Sequence, residues 1–299
     1  MELTDIFGNP PILDHKKGDT ETSQEFLEDF YAWLEKSEEQ ERAPGLHASE
    51  LWKTCPRIPI LTAKSPPVIV PSTAGERLTY DLGNAMHWWV QNRQFGPWGR
   101  LWGDWFCIAC QKIIRQGVMP RCCPLCHRNW RDVLLFKETF VVAPDLRYCG
   151  HCDGIIIDRT STRKRVLEFK SISPAQYTEL REPKVAHVIQ AHAYMRPLQL
   201  DEALIVYANK GSQCDWTRSG AGWISGRPKL RAFLVRWDKS LWATMVRRIE
   251  DYHRAVSEAQ STLIISDEMV TRYPRICTHD GCDLALECAV SGPCFKLPR

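Results

Sequence analysis

An α/β fold with a central mixed sheet flanked by helices is predicted from three observations. Strand-like and helix-like segments alternate between residues 136 and 259, an apolar β-hairpin spans 153–170, and a helix follows directly after it. At 299 residues with 44% hydrophobic content, the chain is long enough to bury one large core with small appended modules.

The elements can be read in order. Thr22 to Glu41 predicts an amphipathic helix, with Thr22 and Glu25 as a capping box and Phe26, Leu27, Phe30, Tyr31 and Leu34 as its apolar stripe. Ala43-Pro44-Gly45 breaks the chain, and Ser49 can cap a short helix carrying Leu51, Trp52 and Cys55 before Pro56 stops it. A helix over Leu82–Gln94 bears His87. Strands are expected at Phe136–Val142, Asp153–Asp158, Arg165–Lys170, Ala203–Tyr207 and Arg231–Trp237, and helices at Pro183–Met195 and Ser240–Ala259. The expected organisation is an acidic helical segment over 1–45 and a main domain over 46–299. Within the main domain, 103–131 reads as an inserted cysteine module and 272–299 as a C-terminal cysteine cluster.

No stretch reaches the roughly 20 apolar residues of a membrane span, and the N-terminus lacks the basic-then-apolar order of a signal peptide. The reading is cytoplasmic. Thirteen cysteines then favour metal binding over a disulfide framework. Residues 19–42 hold nine Asp/Glu against two Lys/Arg, whereas 159–259 hold eighteen Lys/Arg against ten Asp/Glu. The basic half suits a polyanion partner, but a charge excess of this size is usually just a solvated surface.

The strongest chemical signal is Asp153-Gly154-Ile155-Ile156-Ile157-Asp158 followed by Val166-Leu167-Glu168-Phe169-Lys170. With 159–164 as the turn, Asp153 is expected opposite Lys170, with Glu168 its diagonal neighbour on the same face. Two carboxylates that close repel unless a cation lies between them, and oxygen ligands suit Mg²⁺ or Mn²⁺. A lysine beside them can orient or activate a water. Taken alone, a Glu-x-Lys such as Glu168 and Lys170 favours a surface i, i+2 charge pair on an exposed strand.

These residues resemble the Asp and Glu-x-Lys motifs of PD-(D/E)xK nucleases, which have a restriction-endonuclease-like core. Gln190 and Tyr194, four apart on one helical face, are similar to the Gln-x-x-x-Tyr motif of the RecB-like branch, and His87 resembles that branch's upstream histidine. The resemblance implies a metal-dependent DNA exonuclease of recombination, repair or phage DNA metabolism, acting on DNA ends or single strands, with a helicase or recombination partner. It implies that His87, Asp153, Glu168 and the main-chain carbonyl of Phe169 hold Mg²⁺ or Mn²⁺, that Lys170 positions the attacking water, and that Gln190 and Tyr194 orient the backbone or the metal-site side chains. Glu138 also resembles an acidic position of some relatives. A structure-selective endonuclease and a non-catalytic nucleic-acid-binding protein of the same fold are the alternatives.

Cys107-x-x-Cys110 and Cys123-x-x-Cys126 form two pairs with the spacing of a four-thiolate Zn²⁺ site in a zinc-ribbon-like module, leaving Cys122 spare. In the tail, Cys277, Cys282, Cys288 and Cys294 can form a zinc site by themselves. Cys55-Pro56-Arg57 resembles the N-terminal cysteine segment of the AddB nuclease domain and the CRISPR-associated iron-sulfur exonucleases. That likeness implies a [4Fe-4S] cluster on Cys55, Cys277, Cys288 and Cys294, with Cys282 ambiguous because the family's close tail pair is absent. Cys149, Cys152 and Cys214 read as buried thiols.

Overall fold

The computed structural model describes residues 28–33, 45–66, 72–158, 162–211, 214–219, 222–228 and 230–298. The chain divides into two compact units, 1–42 with 69–82 and 43–68 with 83–299. In the first, residues 28–33 are helical; the rest of the Thr22–Glu41 helix expected there lies outside the described residues.

The second unit opens with β1 (Leu46–His47), a 3-10 turn at Ala48–Lys53 and α1 (Arg57–Lys64). The short helix expected to be capped by Ser49 and stopped by Pro56 is instead a turn capped at His47 that ends at Lys53, before Cys55, and Pro56 caps the start of α1, as its fixed φ permits. The helix carrying His87, α2 (Ala74–Trp89), starts eight residues before the expected Leu82. Its start is a capping box overlooked in the sequence: Thr73 N–H donates to Glu76 Oε2 at 2.8 Å, and Glu76 N–H donates back to Thr73 Oγ1 at 3.3 Å. A π-helical turn, Val90–Phe95, extends it.

The strands are β2 (Leu101–Cys107), β3 (Lys112–Val118), β4 (Leu134–Lys137), β5 (Thr139–Ala143), β6 (Tyr148–Cys152), β7 (Gly154–Ile157), β8 (Lys164–Ile172), β9 (Glu202–Asn209), β10 (Cys214–Ser219), β11 (Gly222–Pro228) and β12 (Leu230–Arg236). The helices interleaved with and following them are α3 (Trp130–Val133), α4 (Pro174–Glu179), α5 (Val185–Leu198), α6 (Lys239–Ser261), α7 (Asp267–Thr271), α8 (Asp283–Leu286) and α9 (Ser291–Phe295).

The main sheet runs β12-β9-β8-β7-β2-β3, with β4 also on β2. Only β8 and β9 are parallel, so the sheet is mixed, as expected for its class. A second sheet, β1-β6-β5, stands beside it, and β10 and β11 form a separate hairpin. The single strand expected at Phe136–Val142 is two strands in different sheets, broken at Glu138. Because β2 pairs with both β7 and β4, the first cysteine pair hangs from a strand of the main sheet.

Helices cover both faces of this sheet. Ala191, Tyr194 and Met195 of α5 and Trp242, Met245 and Ile249 of α6 share one core with Val166, Ile205 and Tyr207. Met86, Val90 and Phe95 lie over Leu101, Trp105, Leu167, Phe169 and Val206 on the other. Alternation along β8 therefore buries Leu167 and Phe169 on one side and turns Val166, Glu168 and Lys170 to the α5 side. A further core joins Ile60 and Leu61 of α1 to Ala255, Met269, Val270, Tyr273, Val290 and Cys294. Among the described residues, no helix is long and apolar enough to cross a membrane.

Candidate active site

In the hairpin of β7 and β8, Gly154 lies opposite Leu167 and Ile155 opposite Val166. This register differs by two residues from the expected one and brings Asp153 toward Glu168 instead of Lys170. A shift of two preserves which side chains share a face, so the charged set still meets. Gly154 permits the tight approach of β2, since a Cβ there would stand 2.4 Å from Leu101 Cδ1.

Asp153 is 8% exposed and Glu168 1%. Asp153 Oδ2 accepts from the Phe169 amide at 2.7 Å, and Oδ1 lies 3.4 Å from His87 Nδ1. Lys170 Nζ pairs with Glu168 Oε1 at 2.5 Å. Apart from that ion pair, neither oxygen of Glu168 has a hydrogen-bond donor among the described residues. Burial, with the Asp153 charge adding to it, pushes the Glu168 carboxyl up to about 7 despite Lys170. Burial also opposes the charge on Asp153, but His87, Lys170 and the Phe169 amide hold it below its usual range. For His87, the loss of solvation is outweighed by Asp153, which raises its pKa. Lys170, similarly desolvated, is raised by Glu168 and Asp153 and stays protonated.

Such a set has one unmet demand: an almost fully buried carboxylate with lone pairs that, among the described residues, meet no donor but Lys170. A hard divalent cation takes oxygen ligands of this kind, and Asp153 and Glu168, with His87 beside them, offer such ligands, although their ligand atoms are not gathered within 4.8 Å of one another as those of the module cysteines are.

Sequence reasoning missed Gln91, which completes this corner. Its Nε2 donates to Glu138 Oε1 and to the Asp153 carbonyl, each at 2.9 Å. The signal was its position one helical turn after His87, on the same face. Glu138, at the break between the sheets, is raised by burial and by Asp153. Gln190 and Tyr194 are buried, and Gln190 Nε2 donates to the Tyr194 hydroxyl at 3.2 Å, which donates to the His151 carbonyl at 2.8 Å. The pair grips the strand leading into Asp153. Gly150 makes room, because a Cβ there would meet the Tyr194 ring and hydroxyl at 3.1 Å. His187, also unanticipated, meets the Tyr207 hydroxyl at 2.7 Å; burial and Lys170 depress it to about 3, so it is neutral.

The four module cysteines come together. Cys107 Sγ lies 3.6 Å from Cys126 Sγ and Cys110 Sγ 3.7 Å from Cys123 Sγ, and all four sulfurs are within 4.8 Å of one another. A tetrahedron with Zn–S bonds of about 2.3 Å has edges of about 3.8 Å. Both knuckles close alike: Gln111 (φ 56°) donates its amide to the Cys107 carbonyl and His127 (φ 59°) to that of Cys123, each at 2.8 Å. Cys122 is exposed, outside the group.

The tail builds a different site. Cys55, Cys277, Cys288 and Cys294 line one cavity of about 200 Å³, whose wall also holds Arg57, Arg248 and Arg275. Among the described residues only the module cysteines form such a group within 4.8 Å, so the cavity thiols are more widely spread. Cys55, Cys277, Cys288 and Cys294 offer thiolates there, and the three guanidinium groups offer positive charge, to a metal centre. Arg57 is fully buried; its Nη1 lies 4.0 Å from Cys294 Sγ and its Nη2 has no partner among the described residues. Cys282 is absent from the cavity wall and lies against Cys277. Of the remaining thiols, Cys152 is buried and donates to the Gly154 carbonyl at 3.1 Å, whereas Cys149, expected to be buried, is only half-buried. The Cys214 side chain lies outside the described residues.

No family model and no curated protein matches the sequence. Among solved structures, the chain is similar to an alkaline exonuclease (LHK-Exo) from Laribacter hongkongensis, at 10% identity over 78% of this chain and 94% of that one, with a TM-score of 0.39. The same enzyme in complex with dAMP aligns at 12% identity over 78% and 94%, with a TM-score of 0.35. SSO0001 aligns at 12% identity over 86% of this chain and 96% of that one, with a TM-score of 0.36.

Proposed function

We propose that this protein is a divalent-metal-dependent DNA nuclease that hydrolyses phosphodiester bonds, acting on ends or single strands. The observation that carries the reading is Glu168, a buried carboxylate with no donor but Lys170, beside the ionised Asp153 and the imidazole of His87. Asp153, Glu168, the Phe169 carbonyl and His87 would hold Mg²⁺ or Mn²⁺. That ion supplies positive charge at the scissile phosphate and lowers the pKa of water. Lys170 orients the attacking water with its ammonium and faces the negative charge that builds on phosphorus oxygens as the P–O ester bond breaks. Gln91 fixes Glu138 and the Asp153 main chain; Tyr194 and Gln190 fix the strand before Asp153.

Zn²⁺ on Cys107, Cys110, Cys123 and Cys126 is proposed as structural, tying together a module with little core of its own. A [4Fe-4S] cluster is proposed in the tail cavity on Cys55, Cys277, Cys288 and Cys294.

Incubation with 5′- and 3′-labelled single- and double-stranded DNA tests the activity. Cleavage in Mg²⁺ or Mn²⁺ and none in EDTA is the expected result, with mononucleotide release separating exonuclease from endonuclease action. Intact DNA under every metal condition contradicts the reading.

A further inference from the structure

Six of the chain's twelve tryptophans fall in residues 88–131. That stretch holds seven Lys/Arg and one acidic residue, Asp104, while the rest of the chain holds 32 Lys/Arg against 35 Asp/Glu. The chain's positive balance is thus concentrated in the π turn and the cysteine module. Large exposed aromatics on such a surface need a reason, because burying an indole removes much apolar area from water.

Four of these tryptophans carry a cation on the ring, Trp102 that of Lys164 at 3.5 Å. The Arg93 guanidinium lies 5.5 Å from the Trp88 ring centroid, Arg131 5.3 Å from Trp130, and Arg100 5.0 Å from Trp98. Trp88 is 44% exposed and Trp98 51%, Trp130 is half-buried with one side against the cysteine module, and Arg93 and Arg131 are exposed. Arg93 Nη1 also donates to the Arg131 carbonyl at 2.8 Å, joining the Trp88 and Trp130 pairs into one surface. The support beneath is rigid: buried Asn92 donates to the Trp88 carbonyl at 2.8 Å and accepts from the Phe136 amide. The same π turn supplies Gln91 to the catalytic corner, and His87 directly precedes Trp88. Irregular helical turns of this kind recur at functional sites.

We propose that Trp88, Arg93, Arg131 and Trp130 form a grip for a single-stranded nucleic acid, with unpaired bases stacking on the indoles and phosphates meeting the guanidinium groups. Exposed base faces occur in single strands and not within a duplex, and indole stacking tolerates any base. The grip would feed the strand toward Asp153 and Glu168, and in that respect it deepens the nuclease reading.

The test is the affinity for a fluorescent oligothymidylate in EDTA, where no cleavage interferes. Trp88→Leu with Trp130→Leu should weaken binding about 10-fold or more, while the Phe replacements stay within about 3-fold of wild type. Arg131→Gln should lower the salt slope of log K by about 0.7, one phosphate contact on a single strand. It keeps both indoles and so reads the grip even where the double Leu variant folds poorly. Wild-type affinity and salt slope in all of these variants overturn the proposal, as does an equal loss on a blunt duplex. Hydrolysis in Mn²⁺ of bis(p-nitrophenyl) phosphate, an ester too small to reach the grip, reads the catalytic corner of wild type independently. If wild type hydrolyses neither that ester nor DNA, the nuclease reading fails while the binding comparison still decides the grip.

Discussion

Glu168 is 1% exposed, and Lys170 is the one donor to its carboxylate among the described residues. A buried charge so lightly satisfied costs stability unless something offsets it. Its folded pKa, about 7, stands above the ordinary 4.5 of a glutamate, so the fold favours the protonated form. The stability this contributes is complete below pH 4.5 and is lost as the pH rises through 7, at about 3 kcal/mol in full. In EDTA, the melting temperature of wild type should therefore fall relative to Glu168→Gln between pH 5 and 8, and Mn²⁺ should restore it for wild type only. Parallel melting curves in EDTA, or equal Mn²⁺ stabilisation of both proteins, would show that Glu168 is not the strained ligand described. Asp153, Glu168 and Lys170 were legible in the sequence through their joint match to the Asp and Glu-x-Lys motifs, since Glu168 and Lys170 alone read as a surface charge pair. Gln91 was not, because a glutamine on a helix has no signature until its partners, Glu138 and the Asp153 carbonyl, are in place.

At the scale of elements, periodicity located most strands and helices, and the misses have physical causes. The turn at 159–164 does not disclose its length, so the hairpin register was misplaced by two, but parity preserved the shared face. Apolar alternation runs on through Glu138, which hides the change of sheet between β4 and β5. The start of α2 was misplaced because its capping box sits ahead of the apolar positions used to find the helix. The cysteines divide by spacing into a tight group on β2 and the following knuckle and a wider set joining α1 to the tail. Protein purified without oxygen should carry one zinc and about four irons per chain. Cys107→Ser should lose the zinc alone. Cys55→Ala should lose the iron and its broad visible absorbance and loosen the packing of α1 on the tail, with Cys282→Ala milder. Zinc in both sites, or metal content unchanged by either substitution, would contradict this division.

Across the second unit, the mixed sheet is the platform on which separate segments meet. Helix α2 contributes His87, the break between the sheets Glu138, the hairpin Asp153 and Glu168, and α5 the Gln190 and Tyr194 brace. Composition alone could not reveal that convergence, because it depends on β8 and β9 running parallel with α5 as their crossover. The central claim is that this convergence is a phosphodiesterase centre. Its most direct measurement is the rate of cleavage of labelled single-stranded DNA in Mn²⁺ by wild type, Asp153→Ala and Lys170→Ala, at matched melting temperature and DNA affinity. The account predicts that both variants fall at least about 100-fold, as expected when a metal ligand or the group orienting the water is removed. Wild-type rates in either variant would contradict it.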